Sequence, residues 1–142
     1  MVGMDTAYPL IMVADVDRAS AFYAETLAWE VSVDLGWFRL LANPGRPHAQ
    51  VAVIDRYHES IPESERGRAP SGFLFTVDVD DCDVVHRRAV AFGAEVVVPA
   101  RDEPWGQRHT MLRDPDGTSS TSSSRSEPPW PVTCCPSAAS RG

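Results

Sequence analysis

Apolar positions along the chain fall into two runs of the same design. In the first, residues 9–13 are a short apolar run followed by Asp15 and Asp17, both good helix starters. Val16, Ala19, Tyr23 and Leu27 then recur three and four apart, which predicts an amphipathic helix over 16–27. Residues 29–33 alternate like a strand, 37–41 form another, Asn43-Pro44-Gly45 is a turn, and 50–54 read as a further strand.

The second run repeats this about 65 positions later. Residues 73–79 are apolar and alternating. Asp80 and Asp81 open a second helix, predicted over 82–92, with Cys82, Val85, Ala89 and Phe92 along one face and Gly93 as its stop. Strands are predicted at 95–98 and 108–113, followed by a tight turn, Asp-Pro-Asp-Gly, at 114–117. The fold class is therefore α+β, two β-α-β-β-β modules; the curled mixed sheet they form is what the family resemblance given below implies. The modules span about 7–54 and 72–118 of a domain covering 1–118. Residues 55–71, polar and carrying Pro62, Gly67 and Pro70, are the linker.

The repeat calls for one more strand, and from position 119 the apolar alternation stops. Eight of the last 24 residues are serine, against five in the first 118. The expectation is a lost last strand, a Ser/Pro-rich tail over 119–142, and an uncovered edge on the strand before it. The chain has no lysine, and its 13 basic residues are all arginine, as GC-rich coding produces. If Ser-Ser-Thr-Ser-Ser-Ser-Arg (119–125) is written TCG TCG ACG TCG TCG AGC CGN, one extra C in front turns it into Leu-Val-Asp-Val-Val-Glu-Pro. That is the alternating strand the repeat calls for, so the tail is either natural low-complexity sequence or a frameshift.

A length of 142 residues suits one domain with its own core. The net charge of −7 argues against nucleic acid as a partner. No apolar run approaches the roughly 18 residues of a membrane span. The start of the chain does not read as a signal peptide. Three cysteines, Cys82, Cys134 and Cys135, form neither a disulfide framework nor a spaced zinc motif, which points to the cytoplasm.

Asp15-Val16-Asp17-Arg18-Ala19 leading to Phe22-Tyr23, Val79-Asp80-Asp81, Phe92-Gly93-Ala94-Glu95-Val96, Trp105-Gly106-Gln107-Arg108 and Asp114-Pro115-Asp116-Gly117 occur in order at the expected spacing. This series resembles the vicinal oxygen chelate superfamily of glyoxalases, extradiol dioxygenases and bleomycin-resistance proteins. The resemblance implies paired modules curled into a cup. In the metal-dependent members a divalent ion held there chelates two neighbouring substrate oxygens. The positions it assigns to metal ligands hold Tyr8, Phe73 or Leu74, Gln50 or Ala52, and Thr121, so no metal or other cofactor is expected. His48, His58, His86 and His109 read as surface or structural residues.

The preferred function is a metal-independent small-molecule binding protein of the glyoxalase/bleomycin-resistance type, with sequestration of an antibiotic-like ligand as the finer expectation. The alternative is a metal-dependent lyase or dioxygenase of the same superfamily. Candidate ligand-binding residues are Trp37, Phe38, Gln50, Trp105, Gln107 and Arg108. One of Trp37 and Phe38 should face the cavity, since neighbours on a strand point oppositely. A planar ligand could stack on Trp105 while Arg108 meets its negative end. Alternatively, Trp105 plugs the end of the barrel and Arg108 pairs with Asp102 or Glu103. The resemblance also implies a homodimer, as cups of this kind are often completed by a second chain.

Overall fold

A computed structural model describes residue 3 and residues 5–125. The chain runs β1 (Leu10–Val13), α1 (Val16–Leu27), β2 (Glu30–Asp34), β3 (Phe38–Asn43) and β4 (Arg46–Asp55), then β5 (Phe75–Asp78), α2 (Cys82–Phe92), β6 (Glu95–Asp102), β7 (Gln107–Arg113) and β8 (Ser119–Arg125). Each module makes its own four-stranded mixed sheet, ordered β1-β4-β3-β2 and β5-β8-β7-β6. The first strand of each module pairs parallel with the last, and every other pairing is antiparallel.

Both helices begin and end where the local chemistry says they should. The Asp15 carboxylate accepts the Arg18 N–H at 3.0 Å, and the Asp81 carboxylate accepts the Asp83 N–H at 2.9 Å. Gly93 ends α2 in the left-handed conformation, φ 82°. Ala28 occupies the same position after α1 at φ 56°, where its Cβ is strained. The buried stripe of α1 is Val16, Ala19, Phe22, Tyr23 and Thr26; that of α2 is Cys82, Val85 and Ala89.

These stripes meet the inward faces of both sheets in one core. Module one supplies most of it, with Ile11, Val13, Leu41, Val51 and Val53, whereas the second sheet adds Leu112 as its one fully buried apolar side chain. Phe75 bridges the halves, edge-on to both Tyr23 and Trp29.

The eighth strand is present, contrary to the sequence expectation. Ser119–Arg125 pairs antiparallel with β7 along its whole length and parallel with β5 over residues 120–123. A ladder is made by backbone N–H and C=O groups, and β5 and β7 supply them on both sides whatever the side chains are. β7 therefore lies between β6 and β8 with no open edge. The consequence falls on the side chains: Ser120, Ser122 and Ser123 are 7%, 4% and 4% exposed, in positions a sheet normally fills with apolar residues. The expectations for 126–142 lie outside the described residues.

The turn at 114–117 fastens module two to module one. The buried Tyr23 hydroxyl donates to Asp114 Oδ2 at 2.6 Å. Asp116 Oδ1 accepts the Ala14 N–H at 2.7 Å and Arg56 Nη2 at 2.8 Å. Asp114 Oδ1 takes the N–H groups of Asp116 and Thr118, which closes the turn. Burial pushes the Asp114 carboxyl above the usual aspartate range, against the opposing pull of these hydrogen bonds, and Tyr23 is pushed up by its own burial and by Asp114.

Two stability predictions follow from this geometry. Ala28→Gly relieves the left-handed strain and raises unfolding free energy by about 0.5–1 kcal/mol in urea titration. A carboxyl raised in the folded state holds its proton more tightly there than in the unfolded chain. Its contribution to stability is therefore lost as pH rises through the folded-state titration. Asp114→Asn removes that dependence. Measured against the native chain, the variant becomes relatively more stable as pH climbs from about 4 towards neutrality, and a difference that stays flat with pH contradicts the assignment.

Candidate functional site

Alternation divides each sheet into a helix-packed face and an open cup face. On β4, Val51 and Val53 enter the core, so Gln50, Ala52 and Ile54 face the cup. On β7, Thr110 and Leu112 are buried under α2, so Gln107, His109 and Met111 face the cup. On β8, Ser120 and Ser122 lie opposite Phe75 and Val77 of β5, so Thr121 and Ser123 take the cup side.

Where the ends of these strands meet the start of β4, two adjoining cavities form one groove between the modules. Its polar half, about 520 Å³, is lined by Arg46, Asp78, Asp80, Gln107, Ser123 and Arg125. Its apolar half, about 420 Å³, is lined by Leu27, Trp29, Ala49, Val77 and Val85, and shares Arg46, Asp78, Val79 and Asp80 with the first. Arg46 reaches Asp80 at only 3.8 Å, with both side chains largely in solvent, so their charges stay available to a ligand. The groove thus offers apolar surface beside paired positive and negative groups, the composition of a site for a small amphipathic molecule.

The six residues singled out from sequence do not converge on one place. Gln107 lines the groove. Its Oε1 accepts the Trp105 indole N–H at 2.9 Å, and Trp105, about half exposed, lies roughly parallel to His109 with ring centroids 5.9 Å apart. His109 in turn stands 3.4 Å from Glu103.

Arg108 points the other way. Its guanidinium grips Asp83 of α2 through Nε at 2.7 Å and Nη2 at 2.9 Å, and Asp102 through Nη1 at 3.2 Å. These carboxylates raise the guanidinium's affinity for its proton, and Arg108 holds the Asp83 carboxyl below the usual range. The pairing with Asp102 thus holds, and the fork is spent on α2, on the face opposite Gln107.

Trp37 sits in the loop before β3 rather than on a strand, so the alternation with Phe38 does not apply. The two rings touch with centroids 6.0 Å apart. Trp37 stacks face to face on His58, 3.8 Å and 4° from parallel, beside a separate cavity lined by Asp15, Asp17 and Asp55. Phe38 is half-buried opposite Ile54. Gln50 donates through Nε2 to the Pro47 carbonyl at 2.9 Å, and its Oε1 is buried without a partner. His86, on α2, is half-buried against β7, its Nδ1 3.4 Å from the Thr110 hydroxyl, rather than solvated.

The positions that the resemblance gives to a metal do not fit one. Tyr8 is exposed ahead of β1, and Phe73 and Leu74 are exposed ahead of β5. Thr121 Oγ1, like Gln50 Oε1, is buried and unpaired. Two neutral oxygens without imidazole or carboxylate make a poor divalent site. Among the described residues no three His, Cys, Asp or Glu side chains come together as ligands.

Sequence reasoning missed Arg46, Asp78, Asp80 and Arg125. Asp80 carried a signal only as a helix opener, and Arg46 only as the residue after a turn. If Arg108 is committed to α2, Arg108→Ala lowers the urea midpoint slightly and leaves the affinity for any groove ligand unchanged, as paired urea and binding titrations would read.

Comparison with known proteins agrees with this architecture. Residues 6–119 match the model of the Glyoxalase/Bleomycin resistance protein/Dioxygenase superfamily. No curated protein matches. A protein of unknown function from Agrobacterium tumefaciens str. C58 superposes with TM-score 0.69 at 25% identity over 87% of this chain and 96% of its own. A superfamily member from Sphaerobacter thermophilus DSM 20745 gives 0.68 at 27% identity over 86% and 98%. A family enzyme from Burkholderia phytofirmans PsJN gives 0.70 at 20% identity over 86% and 99%, a likeness of fold. With four-fifths of its length under the family model and both modules folded as the repeat requires, the chain belongs to the Glyoxalase/Bleomycin resistance protein/Dioxygenase superfamily.

Proposed function

We propose that the chain is a metal-independent small-molecule binding protein that sequesters a planar, antibiotic-like ligand in the groove between its modules. The observation that carries this reading is the groove's composition, an apolar half around Trp29, Val77 and Val85 joined to a polar half with Arg46, Arg125, Asp78 and Asp80. A ligand's apolar body fills the first half, and its charged groups meet the guanidinium and carboxylate side chains of the second. The poor fit of the metal positions supports binding without an ion. No helix among the described residues is long and apolar enough to cross a membrane, and we place the protein in the cytoplasm as a homodimer. Exposed Leu10, Leu35, Phe73 and Leu74 supply apolar surface for a second copy.

The competing reading, a metal-dependent lyase or dioxygenase, has in its favour the two unpaired oxygens of Gln50 and Thr121. Elemental analysis separates the two. The binding reading expects no stoichiometric Ni, Zn, Fe or Mn, and one tightly held ion per chain, lost in Gln50→Ala, reverses the ranking.

For binding itself, a Trp105→Phe background makes the buried Trp29 a cleaner fluorescence reporter. A panel of planar aromatic drugs bearing an anionic group should change that emission saturably. Arg46→Ala should weaken binding by about tenfold, the loss of one charge-assisted contact. An unchanged signal across the panel, with a monomer in light scattering at micromolar concentration, removes both the ligand and the dimer.

A further inference from the structure

We propose that residues 119–125 are an out-of-frame reading of a strand whose in-frame sequence is Leu-Val-Asp-Val-Val-Glu-Pro. The strand's place in the fold, independently of any ligand, carries the argument.

β8 is the counterpart of β4, each lying between its module's parallel and antiparallel neighbours. In β4 the core-facing places hold Val53, opposite Ile11, and Val51, opposite Leu41. In β8 they hold Ser122, opposite Val77, and Ser120, opposite Phe75 and Leu112. Ser123 on the other face is buried as well. The in-frame sequence puts valine at 120, 122 and 123, the three buried positions of the strand. Every buried position of the strand thus takes an apolar side chain in that frame.

The Ser124 hydroxyl accepts the N–H of Cys82, in the first turn of α2, at 3.3 Å. Where Ser124 is coded AGC, the in-frame residue there is glutamate, whose carboxylate suits a helix N-terminus better than a hydroxyl does. At 121 the in-frame residue is aspartate, on the cup face where Thr121 Oγ1 already lacks a partner. The shift therefore adds a carboxylate to the cup wall that the present chain does not have. Finally, the family model stops matching at residue 119, the first serine of the strand, although the fold continues through Arg125.

A single nucleotide accounts for all of this. Serine codons TCG and AGC and threonine codon ACG are among the GC-rich choices expected of a chain with 13 arginines and no lysine. One C before them rewrites the strand and everything after it. Sequencing the gene from genomic DNA tests the premise: codons for 119–125 that give no apolar alternation in either shifted frame overturn the proposal.

Thermal melting tests the consequence on the full chain. One variant carries the whole in-frame strand, S119L, S120V, T121D, S122V, S123V, S124E and R125P. A second carries S120V and S122V alone, in case the aspartate or proline disturbs folding by itself. The proposal expects the double variant to melt at least about 5 °C above the present chain, and the full set higher still where it folds. A double variant that melts no higher, or lower, means that serine belongs at these positions, and overturns the proposal.

Discussion

The joint between the two modules rests on a carboxylate held out of water. Asp114 accepts the Tyr23 hydroxyl and two backbone N–H groups, while Asp116, two residues on, takes Arg56 and the backbone of Ala14. A buried carboxylate is tolerable only when its oxygens are occupied by donors, and these donors come from both modules. The turn therefore does more than reverse the chain. It fixes β7 and β8 against α1 and β1, and so sets the width of the groove between the sheets. Phe75, edge-on to Tyr23 and Trp29, fills the apolar space beside this polar joint.

The repeat explains why most of the fold was legible in the sequence. α1 and α2 run residue for residue where periodicity and caps put them, because a helix's signals are local: Asp15 and Asp81 at the starts, Gly93 at one end, an apolar stripe between. Strands were found to within a few residues where side chains alternate, as in β4 and β7. β8 was not legible as a strand, because its evidence lies in β5 and β7 rather than in its own residues. A serine run carries no period, yet the backbone of a strand between two others is paired on both sides.

The site was less legible than the fold, for a related reason. Gln107 was reachable because it stands beside Trp105 in a short motif. Arg108 was grouped with it by adjacency, although neighbours on a strand face opposite ways, and Asp83 on α2 claims the guanidinium. Trp37 carried the pattern of a strand residue but lies just before one, against His58 from the linker. Arg46, Asp78, Asp80 and Arg125 come from three strand ends and a helix entrance spread across both modules. Only the pairing of strands, which no local spacing records, brings them to one groove.

The two halves of the molecule also differ in how they are held together. Module one rests on packed Val, Ile and Leu from β1, β3 and β4. Module two leans on hydrogen bonds, with Thr110 donating to the Val98 carbonyl, Ser124 accepting from α2, and Asp83 joined to Arg108. Burying hydroxyls where the other sheet buries methyl groups gives up apolar transfer energy while keeping the same backbone ladder. The groove lies on this boundary. Its apolar wall draws on both modules, with Leu27, Trp29 and Ala49 from the first and Val77, Val79, Val84 and Val85 from the second, and most of its polar wall is built from the module whose last strand is serine. The joint at Asp114 and the serine strand therefore bear on the same opening: the first ties the two modules together, and the second carries Arg125 and pairs it with Gln107 in the polar wall.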